Sequence, residues 1–133
     1  MANEAVCIET PTIFARRVIA AGAVLPFGTI MKLTDPNTAE ASGASNDPFG
    51  GIVWERASTA TSTHTEITVA MNGVWDLKAT AATINIGIPV AIGGANLIRA
   101  AIEADTVLGD ICGQAEEAFS NDEVGRVRVG VYA

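Results

Sequence analysis

Residues 65–78 read Thr-Glu-Ile-Thr-Val-Ala-Met-Asn-Gly-Val-Trp-Asp-Leu-Lys. Ile67, Val69 and Met71 recur at every second position, as do Trp75 and Leu77 after them. Period two marks a strand with one buried face, because successive side chains point to opposite sides. Asn72-Gly73 falls between the two runs. Asn-Gly is the strongest short-range hairpin signal, since both central residues of a type I′ turn need φ > 0. The stretch predicts a β-hairpin over 65–78 and a β-rich fold.

Downstream, Ile84, Ile86, Ile88, Val90 and Ile92 hold one phase and form a candidate core or subunit-interface face. Gly87 and Pro89 take the opposite phase. Proline cannot donate to a ladder, so this strand is expected at an edge or beside a bulge. Gly93-Gly94 turns the chain into a short strand with Leu97 and Arg99. Residues 102–107 read as a connector and 108–115 as extended. After a turn at Asn121-Asp122, Val127, Val129 and Val131 alternate with Arg126, Arg128 and Gly130 as a closing strand.

Upstream, 29–34 reads as a strand, Asp35-Pro36-Asn37 as a turn, and 38–42 as a short returning strand. Residues 43–50 (GASNDPFG) and 57–63 (ASTATST) read as loops, with a strand restarting at Ile52-Val53-Trp54. Residues 79–83 read as a helical turn or loop. Residues 1–15 carry Val6, Ile8, Ile13 and Phe14 among polar residues. Pro11 favours extended geometry before it. This segment is expected to be an extended N-terminal arm able to add a strand to a neighbour's sheet edge. Residues 16–133 are expected to be a single β-rich domain. About eight to ten short strands separated by turn residues predict a mainly β fold, a small compact β-barrel or β-sandwich (β-tulip-like) with little helix. No internal repeat stands out.

The 133 residues are 49% hydrophobic and only 5% aromatic, with 13 glycines, and the mean hydropathy is +0.33. Such a chain can bury a core without disulfides or metal. The net charge of −7 repels phosphate, so no nucleic-acid partner is expected. Met1-Ala2-Asn3-Glu4 is acidic and begins no apolar signal segment, and no apolar run reaches 18 residues, so no membrane partner is expected.

Catalytic patterns are wanting. His64 is the lone histidine and sits in a Thr-rich stretch. There is no GxSxG, GxxxxGK[ST] or GxGxxG. Cys7 and Cys112 lie in no metal-binding spacing and read as idle thiols. Glu116, Glu117, Asp122 and Glu123 cluster near one turn but lack EF-hand spacing, and read as a solvated hairpin end. No enzyme activity, cofactor or metal is expected from this inventory.

One set of motifs resembles a known family. Asn72-Gly73-Val74-Trp75-Asp76-Leu77 is followed by Ile86-Gly87-Ile88-Pro89-Val90, by Leu108-Gly109, by Gly113-Gln114-Ala115, and by Val127-Arg128-Val129. Gly22-Ala23-Val24-Leu25 and Gly28-Thr29-Ile30 precede them. This order resembles the small phage capsid decoration (cement) proteins that stabilise HK97-type capsids. The resemblance implies a non-catalytic virion protein, assembled in the host cytoplasm, on the outer capsid surface. It implies two partners: the major capsid protein and the chain itself as a homotrimer at threefold or quasi-threefold sites. Val6, Ile8, Ile13 and Phe14 would then form a capsid-binding arm. Two alternatives stay open. One is a tail or fibre component. The other is a carbohydrate-binding module using Phe49, Trp54 and loops 43–50 and 57–63.

Overall fold

The structure is a computed structural model that describes residues 3–21, 23–55, 65–102, 104–105 and 110–130. His64, the loop at 57–63, Gly22, Leu108-Gly109, Val131 and half of the 102–107 connector lie outside the described residues. Eleven strands are described: β1 (Val6–Glu9), β2 (Phe14–Val18), β3 (Ile30–Asp35), β4 (Thr38–Ala41), β5 (Phe49–Val53), β6 (Glu66–Ala70), β7 (Gly73–Ala79), β8 (Pro89–Gly94), β9 (Leu97–Ala100), β10 (Ile111–Ala115) and β11 (Val124–Val129). The fold is mainly β, as the sequence predicts. The strands close into two small barrels. The first runs β2-β4-β3-β5-β6, and the second runs β7-β11-β10-β8-β9 and closes where β9 meets β7. Closure disposes of most of the unpaired edges that short strands would otherwise present.

The second barrel repeats the first in hydrogen-bond register. Val18 pairs with Thr38 in parallel, and Lys78 with Leu97. Met31, Lys32 and Leu33 pair with Ala41, Glu40 and Ala39, while Val90, Ala91 and Ile92 pair with Ala100, Arg99 and Ile98. Both hairpins then carry a bulge, at Leu33/Asp35 and at Ile92/Gly94, and turn through an asparagine with positive φ, Asn37 or Asn96. A second bulge also recurs. Lys32 pairs with Phe49 and Met31 with Gly51; Ala91 pairs with Ile111 and Val90 with Gly113. Each bulge needs glycine there. A Cβ on Gly51 would lie 2.5 Å from Val69 Cγ2, and one on Gly113 would lie 2.5 Å from the Arg128 carbonyl oxygen.

The repeat escapes a reading of the sequence because register is conserved while side chains are not. Counterparts placed by the pairings include Ala15 and Trp75, and Arg17 and Leu77. The first barrel is filled by Ile19, Leu25, Met31, Ala39, Val53, Ile67 and Val69. The other core cluster holds Trp75, Leu77, Val90, Ile98 and Val127 of the second barrel together with Ile30, Phe49, Ile52 and Ala70 of the first. The two barrels therefore share one apolar interface.

Four expectations need correction. The first is the hairpin over 65–78, which does not form. β6 pairs with β2 and β5, and β7 with β1, β9 and β11. Asn72-Gly73 is instead the crossover between barrels. Gly73 has φ +104 but Asn72 is not among the positive-φ residues, so no type I′ turn is made. Each strand finds better partners within its own barrel.

The second is the unbroken face from Ile84 to Ile92. Ile84 is buried and bridges Phe119. The chain then turns through Ile86 and Gly87, where φ is +83. This turn throws Ile86 out to 69% exposure. Ile88 is half-buried, and β8 starts only at Pro89, with Val90 and Ile92 in the core. Pro89 stands at the first position of a strand that has neighbours on both sides, next to a bulge. The third concerns 43–50, whose last residues, Phe49 and Gly50, already belong to β5. The fourth concerns the arm. Val6–Glu9 pair antiparallel with β7 of the same chain, and Phe14 opens β2.

Candidate docking surface

The chain has four Phe, two Trp and one Tyr, and four of these rings meet at the junction of the barrels. Phe14 opens β2, Phe27 sits in the turn before β3, Trp54 follows β5, and Trp75 lies in β7. Ring centroids are 5.6 Å apart for Phe14–Trp54, 5.2 Å for Phe27–Trp54, 5.9 Å for Phe27–Trp75 and 6.2 Å for Trp54–Trp75. Trp54 and Trp75 meet edge to face, which the ring quadrupoles favour. Trp75 is fully buried and donates from Nε1 to the Asn72 carbonyl at 3.1 Å. Trp54 is half-buried, while Phe14 and Phe27 are 43% and 40% exposed. The cluster is thus rooted in the core and open to solvent at its top. Ile13, next to Phe14, is 58% exposed.

Local chemistry explains why these rings stay in place. Thr12 and Ile13 donate their backbone N–H groups to Asn72 Oδ1 at 2.8 and 3.0 Å. Gly28 has φ +88, and its carbonyl accepts from Ala5 N at 2.8 Å. A Cβ there would stand 2.3 Å from the Ala5 carbonyl oxygen, so only glycine fits against Ala5, just before β1.

The expected arm residues divide. The structure brings Phe14 to Trp54. Val6 and Ile8 flank Cys7, which faces the core beside Trp75. Alternation sends Val6 and Ile8 to the other side of β1, where they are exposed. Of the expected isoleucine face, Ile84, Val90 and Ile92 are core residues and Ile86 stands alone at the surface. The stacking platform of Phe49 with Trp54 is not built, because Phe49 is buried. Phe27 reads in the sequence as the middle of a Pro26-Phe27-Gly28 turn and is not among the expected site residues. Its turn is marked only by Pro26 and Gly28, and nothing local shows that the turn abuts Trp54.

Several charged groups bond within the fold. Arg99 grips Asp105 with two bonds of 2.7 and 2.9 Å, and donates from Nε to Ser45 at 2.8 Å and from Nη2 to Asn46. It thereby ties the second barrel to the loop after β4. The guanidinium bonds hold the Asp105 carboxyl below the usual range. Glu116 accepts from Arg128, Glu117 from the Arg126 backbone and Glu123 from the Ser120 backbone. Among the described residues no three His, Cys, Asp or Glu side chains gather as a metal site would need. The Cys112 thiol is pushed up to about 12 by burial and donates to the Val90 carbonyl. Burial also raises Cys7. Open grooves lie among the described residues. One of about 420 Å³ is lined by Ile19, Val24, Leu25, Ala39 and Glu40. Another, of about 440 Å³, is lined by Ser45, Asn46, Ala81, Ala82, Arg99 and Ile102. No helix among the described residues is long and apolar enough to cross a membrane.

No family model matches the chain, and no curated protein matches it. A solved structure does: the N base of head fiber gp8.5 in bacteriophage phi29. The TM-score is 0.52 at 11% identity, over 88% of this chain and 92% of that one. At that identity the likeness is one of fold. It extends across both barrels.

Proposed function

We propose that this chain is a non-catalytic structural protein of a phage virion that sits on the outer surface of the head. The observation that carries the reading is the shared fold, which spans nearly all of both chains. The two-barrel body, the ring cluster and the decoration-protein motifs agree with it. The partner is the major capsid protein, and the docking surface is Ile13, Phe14, Phe27 and Trp54. Exposed aromatic and aliphatic side chains with a buried root are what a protein contact uses as anchors. Several copies acting together, such as a trimer on a threefold or quasi-threefold site, would raise avidity without new chemistry. The likeness to a fibre base favours a second reading, in which the chain anchors a fibre to the head instead of cementing the shell.

Purified protein mixed with heads lacking it tests the proposal. It should co-sediment with the heads, and particle imaging should show it on the shell. A double variant, Phe14→Ser with Phe27→Ser, should keep its melting transition but bind at least about tenfold more weakly, as loss of aromatic anchors does. Density or label on the tail and none on the head would overturn the reading.

A further inference from the structure

We propose that the first barrel takes up an extended segment of another polypeptide as an added strand along Phe14–Arg16, the place where the second barrel holds β1. The inference rests on the internal repeat and is independent of the virion reading.

In the second barrel, β11 covers one edge of β7 from Gly73 to Lys78. The other edge is shared. β9 takes Lys78 and Ala79, and β1 takes Val74 to Asp76. In the first barrel, β6 likewise covers one edge of β2 from Phe14 to Val18. On the other edge β4 takes only Val18. Among the described residues, no strand lies against the rest of it. Hydrogen-bond directions show which groups are left there. The Ile13 carbonyl accepts from Met71 N, and Ile19 N donates to the Thr65 carbonyl, both towards β6. Val18 N donates to the Asn37 carbonyl on the opposite side. Alternation therefore aims the N–H and C=O groups of Phe14 and Arg16 into the open seam.

Counterpart residues show what an added strand does. Val74, the counterpart of Phe14, is fully buried beside β1, whereas Phe14 is 43% exposed. The filled seam also indicates the chemistry of the missing segment. There Cys7 stands across from Trp75, a small side chain against the largest. Ala15, the counterpart of Trp75, is half-buried. An antiparallel segment must therefore place a large apolar residue across from Ala15 to fill the same space. The residues beside it face outward, near Phe14 and Arg16. A second copy's Val6–Glu9 would put Cys7 across from Ala15, small against small, and leave a void. A segment of a different protein, extended, with a large aliphatic or aromatic residue at its centre and no proline where it pairs, meets this requirement and is the occupant proposed.

Amide hydrogen exchange on the full chain tests this. The probe is a synthetic peptide of residues 3–10 carrying Cys7→Leu, compared with the unaltered peptide. The altered peptide should slow exchange at the Phe14 and Arg16 amides about tenfold, the scale of a newly paired strand edge. The unaltered one should do so less. Ala15→Trp should reverse that preference. Arg16→Pro removes the seam-side N–H while sparing the ladder with β6, and should abolish the protection. Its melting transition checks that it folds. No protection by either peptide overturns the proposal, as does protection confined to β7. Protection of the same amides by self-association alone would also overturn it, because the occupant would then be a second copy.

Discussion

Asn72 holds Thr12 from both sides: its Oδ1 accepts the Thr12 backbone N–H at 2.8 Å, and its Nδ2 donates to the Thr12 hydroxyl at 2.9 Å. The residue that marks a hairpin turn in the sequence acts instead as a clamp across 60 positions of chain. It fastens the segment joining β1 and β2 to the crossover between the barrels.

Asn72→Gly separates those two roles. A type I′ turn tolerates glycine at both central positions, whereas the clamp is lost. We expect a cost of about 1–3 kcal/mol, the net worth of the three exposed bonds that Asn72 makes to Thr12 and Ile13, read from denaturant melts. Asn72→Ala should cost a similar amount. An unchanged midpoint for Asn72→Gly would show that the clamp contributes nothing.

Gly28 and Gly87 make a matched pair, at φ +88 and +83 in corresponding turns. Nothing lies within 4 Å of a Cβ on Gly87, so Gly87→Ala should cost only the backbone strain of about 1–2 kcal/mol. Gly28→Ala adds a collision with the Ala5 carbonyl, 2.3 Å away. We expect a loss above about 4 kcal/mol, with β1 released to proteolysis. Equal melting shifts for the two variants would contradict this.

The buried thiol of Cys112 links stability to alkaline pH. Its ordinary value is 9.0 and burial raises it to about 12. The unfolded chain thus gives up the proton first. The stability from keeping this thiol neutral is full below pH 9.0 and is lost as pH rises towards 12, at up to about 1.4 kcal/mol per pH unit. Cys112→Ala should flatten that slope. In the native protein at neutral pH, Cys112 should resist alkylation, since the thiolate is the nucleophile. Rapid labelling would refute the burial argument.

Asp105 links stability to acid. Arg99 holds its folded value below the ordinary 3.8. The pair therefore stabilises the fold fully above that value, and its contribution falls as pH drops through the depressed one. Asp105→Asn should remove this acid dependence. At neutral pH it should cost about 3–5 kcal/mol, because Arg99 is left largely buried without its partner. The side chains of Arg99 and Asp105 are only 15% and 2% exposed. A thermal melt series from pH 2 to 7 on both proteins would check the two parts.

The candidate surface was half legible. Ile13 and Phe14 stand out as apolar residues in a polar N-terminal stretch. Phe27 does not, and Trp54 stands out only as a partner for Phe49, because the meeting of Phe27 and Trp54 depends on a turn and a strand end that lie 27 positions apart in sequence order yet 5.2 Å apart as rings. The acidic residues near Asn121-Asp122 illustrate the opposite case. Glu117 and Glu123 bond to nearby backbone, so reading them as a solvated hairpin end needed no tertiary knowledge.

Strand content and most turn positions follow from the sequence by itself, since side-chain period and Gly, Pro and Asn chemistry are local properties. The duplication of the barrel, the fate of Asn72-Gly73 and the open seam along Phe14–Arg16 were decided only by the tertiary structure. A strand carries no mark of which neighbour it will pair with. Backbone hydrogen bonds are alike for every residue, so partner and register are settled by what the whole chain can bury at once.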